Sequence, residues 1–237
     1  MILAFTKYLH GMDSYERHKA VADIIDKSPC NSKSILDVGG ETKITTNRLA
    51  YFLRNRNVMT ANVITKTGLQ VSGVELPIED KSCDAVVSID TLEHIPKKDR
   101  EKAISEYYRI ATKEVILTGP IDNEYQRNSE KRVNEAYKKL FGRDHHYLIE
   151  HLNYGDPSIE DLKRWCEGKE HTIVYLSDNT VIEKHIEKSF SFFPKIKPLN
   201  KIFKLLYTAY TIKDYAPIEY INTPKPVTRR FLVHIKL

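Results

Sequence analysis

The chain alternates between short apolar runs and longer stretches whose apolar residues recur every three to four positions. Residues 13–27 carry the second pattern. Val21, Ala22, Ile24 and Ile25 form a stripe, and Asp13 or Ser14 can cap its start, so the stretch predicts a helix. Ser34-Ile35-Leu36-Asp37-Val38 is a short apolar run that stops at Gly39-Gly40, the pattern of a buried strand followed by a tight turn. Residues 45–54 read as a second helix with Leu49, Phe52 and Leu53 inward. Residues 57–64 and 71–74 read as the second and third strands, and the β-branched run at 84–89 as the fourth. A helix is expected over 97–112, with Ala103, Ile104, Tyr107, Tyr108 and Ala111 on one face. A fifth strand follows over 114–118, closed by Gly119-Pro120.

Strands alternating with helices imply an α/β fold: a doubly wound, mostly parallel sheet with helices on both faces. Such sheets bind ligands beyond the carboxyl ends of their strands. After Pro120 the pattern changes. Residues 122–141 are polar and helix-prone with no strand partner, which suggests an insertion or lid. A capped helix is expected over 157–167, where Ser158 and Asp161 precede the apolar Leu162 and Trp165. A sixth strand is expected over 171–176, mostly helix over 179–215, and a last strand over 227–237. The expected organisation is an N-terminal helical cap (1–30), a ligand-binding core (31–121), a helical insertion or lid (122–168) and a C-terminal part of the sheet with a basic helical segment (169–237).

Composition narrows the class. A chain of 237 residues, 41% hydrophobic and 29% charged, can bury a core without disulfides. Its three scattered cysteines, Cys30, Cys83 and Cys166, form no C-x-x-C pair and suit a reducing, cytoplasmic setting. The opening Met1-Ile2-Leu3-Ala4-Phe5-Thr6-Lys7 is too short for a signal-peptide core, and no apolar run approaches the ~18 residues of a membrane span. The net charge of +5 is unevenly spread: residues 183–237 hold eleven basic against four acidic residues. Within them Leu199, Ile202, Phe203, Leu206 and Tyr210 share a helical face flanked by lysines. That pattern suits peripheral membrane contact through residues 184–212, or equally a face that covers the sheet or a pocket.

One stretch is far more specific. Leu76-Pro77-Ile78-Glu79-Asp80-Lys81-Ser82-Cys83-Asp84 leads into the fourth strand, and Asp90-Thr91-Leu92-Glu93-His94-Ile95-Pro96 leaves it. Together with Asp37-Val38-Gly39-Gly40, it resembles the class I S-adenosylmethionine-dependent methyltransferases of the L-P-x-x-D-x-S-x-D…D-x-L-E-H-I-P group. The resemblance covers residues 13–120 and the final strand. It implies a Rossmann-like sheet of seven strands, S-adenosylmethionine as cofactor, and an insertion that serves as an acceptor lid. Carried over by position, Asp37, Gly39, Gly40 and Glu41 fall on the cofactor loop. Asn62 falls at the end of the second strand, and Ser88, Ile89 and Asp90 beside the methyl group.

The departures are specific too. Glu41 and Lys43 stand at two of the family's loop glycines, Asn62 replaces the acid that holds the ribose, and Ser72 stands where an Asp near the adenine is common. The resemblance therefore leaves three readings: a methyltransferase of a small-molecule, glycan or lipid-type acceptor, a catalytically impaired methyltransferase-like binding protein, or an RNA methyltransferase. Nucleic acid is the weaker partner expectation, since no RNA-binding module is visible. A nicotinamide-dependent oxidoreductase is disfavoured by the absence of G-x-G-x-x-G.

If the acceptor must lose a proton, the candidate bases are His145, His146, Glu150 and His151, with Tyr154 beside them. The plainer alternative is a helix end with surface histidines. No metal site is expected, because the H-x-x-E-H spacing is missed by one residue. Oligomeric state is not legible.

Overall fold

The computed structural model describes residues 12–40, 48–63, 69–176, 206 and 218–237. Helix α1 spans Met12–Lys27 and is followed by strand β1, Ser34–Val38. Strands β2 (Asn57–Asn62), β3 (Leu69–Gln70) and β4 (Cys83–Ile89) precede helix α2, Arg100–Ile110. Strand β5, Ala111–Pro120, leads into helices α3 (Glu124–Phe141), α4 (His146–Tyr154) and α5 (Ile159–Cys166). Strands β6 (Glu170–Leu176), β7 (Tyr220–Ile221) and β8 (Arg230–Lys236) complete the described elements.

The sheet has the order β3-β2-β1-β4-β5-β8-β6-β7. The first five strands in that order are parallel, and β8 inserts antiparallel between β5 and β6. The sheet is Rossmann-like, with one strand more than the seven expected: the two-residue β7 at the edge, paired antiparallel with β6. Three further expectations need correction. The third strand pairs at Leu69–Gln70, ahead of the expected 71–74, because Ala61 and Asn62 at the end of β2 are its partners. Of the helix expected over 45–54, residues 48–54 contain a single 3-10 turn, Leu49–Tyr51, and residues 41–47 lie outside the described residues. The helix expected from 97 begins with a 3-10 turn, Lys97–Asp99, and becomes α-helical at Arg100.

Period-two alternation sorts the strands onto two faces. Leu36, Val38, Val86, Val115, Leu117 and Val233 join one buried cluster with Ile104 and Tyr107 of α2 and Leu162 and Trp165 of α5. Ile35, Ala85, Val87, Ile89, Ile116 and Leu232 join the other, with Val21 and Ile25 of α1. Both faces are dry, so the strands read as near-continuous apolar runs. No described helix is long and apolar enough to cross a membrane. The segment 184–212 lies outside the described residues apart from Leu206, which is exposed.

A buried ion network pins α1 to the carboxyl ends of the strands. Asp90, just past β4, pairs with both Arg17 of α1 and Arg230 of β8. Asp13 of α1 lies 2.9 Å from Arg229 Nη1 and 3.2 Å from Arg230 Nη2. Asp90 holds a left-handed backbone, φ 49°, and its N–H donates to the Thr118 carbonyl at 2.9 Å. Left-handed backbone is costly for a residue with a Cβ, and the ion pairs hold it there. Burial alone would raise the Asp90 pKa, but the charges of Arg17 and Arg230 outweigh it and bring it to about 2.

Two outcomes follow. Asp90→Asn leaves Arg230, whose side chain is 2% exposed, without its main counter-charge, and should cost about 3–5 kcal/mol in urea denaturation. Asp13→Asn should cost roughly half of that or less, since Asp90 remains to balance the arginine. The second outcome concerns His18, buried in α1, whose Nδ1–H donates to the Ser14 carbonyl at 2.6 Å. Burial, and next the Arg17 charge, press its pKa down to about 3. Below the unfolded value of about 6.5, the unfolded chain therefore takes a proton that the fold excludes, so stability falls with falling pH until about 3. Relative to a His18→Gln variant, the natural chain should lose about 2 kcal/mol between pH 7 and pH 5.

Candidate functional site

The loops after β1, β2 and β4 are tied into one crevice at the carboxyl ends of the strands. The Gly39 N–H donates to the Ala61 carbonyl at 2.7 Å. The Thr91 hydroxyl donates to the Val38 carbonyl at 3.0 Å. The Asn62 amide nitrogen donates to both the Gly39 and Gly40 carbonyls at 3.0 Å. Gly39 has φ 84°, and a Cβ there would meet the Thr91 hydroxyl oxygen at 2.0 Å. Only glycine suits this turn, and the group it makes room for is Thr91 of the signature stretch.

The sequence-identified residues distribute as follows. Asp37 is buried at the end of β1. Asn62 directs its amide into the glycine turn, a task an acid cannot do because it would set a carboxylate against two carbonyl oxygens. Ser88 and Ile89 are buried on opposite faces of β4, Ser88 towards Tyr107 and Ile89 in the α1 cluster. Their backbone, more than their side chains, borders the crevice. Asp90 sits in the ion network already described. Glu41 and Lys43 lie outside the described residues. A separate hollow of about 250 Å³, lined by Asp26, Lys33, Phe52 and Arg56 among others, lies at the amino-terminal ends of β1 and β2, away from this crevice.

Beside the crevice, the signature residues meet the helices after β5. The turn Leu92–His94 packs against α4, and Arg100 fastens the two together. Its Nε donates to the Ile95 carbonyl at 3.0 Å, and its Nη2 donates to the Gly155 carbonyl at the end of α4. Glu93 is 1% exposed and both its carboxylate oxygens lack a hydrogen-bond partner. Burial, and then the Asp90 charge, push its pKa up to about 7. The position a Gly119 Cβ would take lies 3.3 Å from Glu93 Oε2, so glycine at the end of β5 leaves this carboxylate its room.

Four histidines and three further carboxylates surround Glu93 or lie close by. His94 Nδ1 lies 2.8 Å from Glu150 Oε2. Burial, and next the positive charge of His151, lower the His94 pKa to about 4. His151 Nδ1 lies 2.7 Å from Glu130 Oε1 and 3.8 Å from Asp156 Oδ1. Burial would depress His151, but the Glu130 hydrogen bond and the charges of Glu93, Glu130 and Asp156 raise it to about 9. Asp156 is buried and held well above the usual carboxylate range, by burial first and then by Glu130. His146 is largely exposed, with Nε2 3.1 Å from Glu150 Oε1. His145 precedes α4, its N–H bonded to the Asn134 side-chain oxygen at 2.8 Å.

Of the four expected bases, Glu150 and His151 thus reach the cluster. His151 is held cationic at neutral pH, and His146 faces solvent. Sequence reasoning missed Glu93, Glu130 and Asp156. Glu130 carried a usable signal: Gln126, Ser129, Glu130, Val133 and Asn134 follow helical spacing, and all are buried. The buried stripe of α3 is polar, so a search for apolar periodicity passes over it.

Residues 37–118 match the family model described as a methyltransferase domain. No curated protein matches the chain. Among solved structures, the chain is similar to a Galdieria sulphuraria protein provisionally assigned as a sarcosine dimethylglycine methyltransferase (TM-score 0.57, 14% identity, 94% of this chain and 86% of that one). It is also similar to the YcgJ protein of Bacillus subtilis (TM-score 0.51, 12% identity, 92% and 98%). A third likeness is to the [4+2]-cyclase SpnF (TM-score 0.50, 11% identity, 92% and 80%). At such identities the likenesses speak for the fold. Residues 37–118 are thus similar to a methyltransferase domain, and the solved structures share its fold.

Proposed function

We propose that the chain is an S-adenosylmethionine-dependent methyltransferase acting on a small-molecule, glycan or lipid-type acceptor. The observation that carries this reading is the joining of the β1, β2 and β4 loops by Gly39, Asn62 and Thr91 at the carboxyl ends of the strands. Ligands of open α/β sheets bind in such crevices. The acid at this crevice suits a cationic cofactor: Asp37 is buried at the end of β1. When bound, S-adenosylmethionine supplies an activated methyl group. The chain's own part is then to align an acceptor and exclude water. Helices α3 and α4 and the Glu93–His94 turn are the groups placed to do this. The three cysteines are free thiols, consistent with a cytoplasmic protein.

The binding-protein reading draws on Asn62, whose amide serves the glycine turn. The cyclase on a similar fold is a reminder that a shared sheet does not fix the reaction.

Calorimetric titration with S-adenosylmethionine and S-adenosylhomocysteine tests both readings. Micromolar binding is expected, weakened roughly tenfold or more by Asp37→Asn, the ~1.4 kcal/mol scale of one lost hydrogen bond. Asn62→Asp restores the acid common in the family, yet it should weaken binding by a similar factor, since two bonds that shape the turn are lost. Absence of binding at millimolar ligand would overturn the enzyme reading. Binding without turnover across an acceptor screen would favour the binding protein.

A further inference from the structure

The geometry points to a divalent transition-metal site formed by Glu93, His94 and His151. One donor atom from each residue lies within 4.8 Å of the others. The two rings face each other with centroids 4.7 Å apart. Each imidazole already has its Nδ1 against a carboxylate, Glu150 for His94 and Glu130 for His151. That arrangement leaves Nε2 as the coordinating nitrogen, from which an incoming ion displaces the proton of the His151 imidazolium, and a carboxylate behind the ring is the usual device that orients a metal-binding histidine.

Glu93 is the independent observation. A carboxylate 1% exposed, with no hydrogen bond to either oxygen, is costly to bury. It points to the side where the two imidazoles converge. Asp156, also buried and with both oxygens lacking hydrogen bonds, stands behind His151 and shares a second donor group with Glu130. Four carboxylates, Glu93, Glu130, Glu150 and Asp156, gather around the two histidines with Arg100 at the side, and a divalent cation would give them a common partner.

Two imidazoles and a carboxylate select a first-row ion such as Zn²⁺, Mn²⁺ or Fe²⁺ over Ca²⁺ or Mg²⁺, which prefer all-oxygen ligands. Metal–nitrogen bonds of about 2.1 Å need donors roughly 3–4 Å apart, so closure by about 1 Å through side-chain rotation completes the site. Three protein ligands leave positions open. On the methyl-transfer reading, an acceptor hydroxyl held there would have its pKa lowered by the ion and would pass its proton to solvent water.

The test uses the full chain freed of metal with a chelator, titrated with Zn²⁺ and with Co²⁺ as the spectroscopic probe. No methyl donor is present, so failure here is separate from failure of the cofactor titration. One ion per chain is expected, at micromolar Kd or tighter, with visible Co²⁺ absorption displaced by Zn²⁺. Glu93→Gln and His94→Gln should each weaken it by roughly a hundredfold, while His171→Gln, on exposed β6, should not change it. Should Glu93→Gln fail to fold, X-ray absorption of the zinc-loaded natural chain reads the ligands directly, with two imidazoles expected. A folded chain that takes up no stoichiometric ion would overturn the site, as would an ion without imidazole ligands or one indifferent to His94→Gln.

Discussion

The carboxyl ends of the strands depend on one buried constraint, the charge network of Asp13, Arg17, Asp90 and Arg230. It joins residues up to 217 positions apart. Charges taken out of water must find partners, so the network dictates where three elements meet. Strand β8 can lie between β5 and β6 in only one useful register: Pro120 opposite Arg230 puts the guanidinium beside the end of β4. The same pairing holds Asp90 in its left-handed turn, and this turn delivers Thr91, Leu92 and Glu93 to the crevice.

From that turn the chain builds two adjoining environments with opposite character. The β1–β2–β4 crevice is closed by bonds to backbone carbonyls, with Thr91 donating to Val38 and Asn62 to Gly39 and Gly40. The space between the Glu93 turn and helices α3 and α4 is closed by side-chain charge. There the helices do not pack through an apolar seam. Gln126 donates to Glu130, Glu130 bonds His151, and Asn134 bonds both Asp144 and His145. A polar seam of this kind is stable only when its members are satisfied, and in Glu93 and Asp156 both carboxylate oxygens lack a hydrogen-bond partner. A cation at that position would complete the seam and at the same time equip the crevice with chemistry.

The altered family positions also gain a physical meaning. Asn62 looks like a weakened ribose contact when read by position alone. In the fold it is a donor to two carbonyls, a part the family's acid could not take.

By itself, the sequence determined the architecture. The apolar runs at 34–38 and 84–89, the helix stripe from Ala103 to Ala111 and the signature through Pro96 are local patterns, and local periodicity is what hydrophobic burial selects. It also located the glycine turn and the segment that follows β4. It misplaced β3 and the short turns, where two residues of pairing leave no periodicity to detect. The tertiary structure alone decided the site. Glu93 adjoins His94 in the signature, but Glu130 and Asp156 sit on a helix and a loop, and no spacing along the chain joins them to that pair or to His151. Their proximity arises from how β8 inserts, how Arg100 fastens α4 and how a polar helix face is buried. Those are long-range electrostatic and hydrogen-bond requirements, and only the folded chain satisfies them.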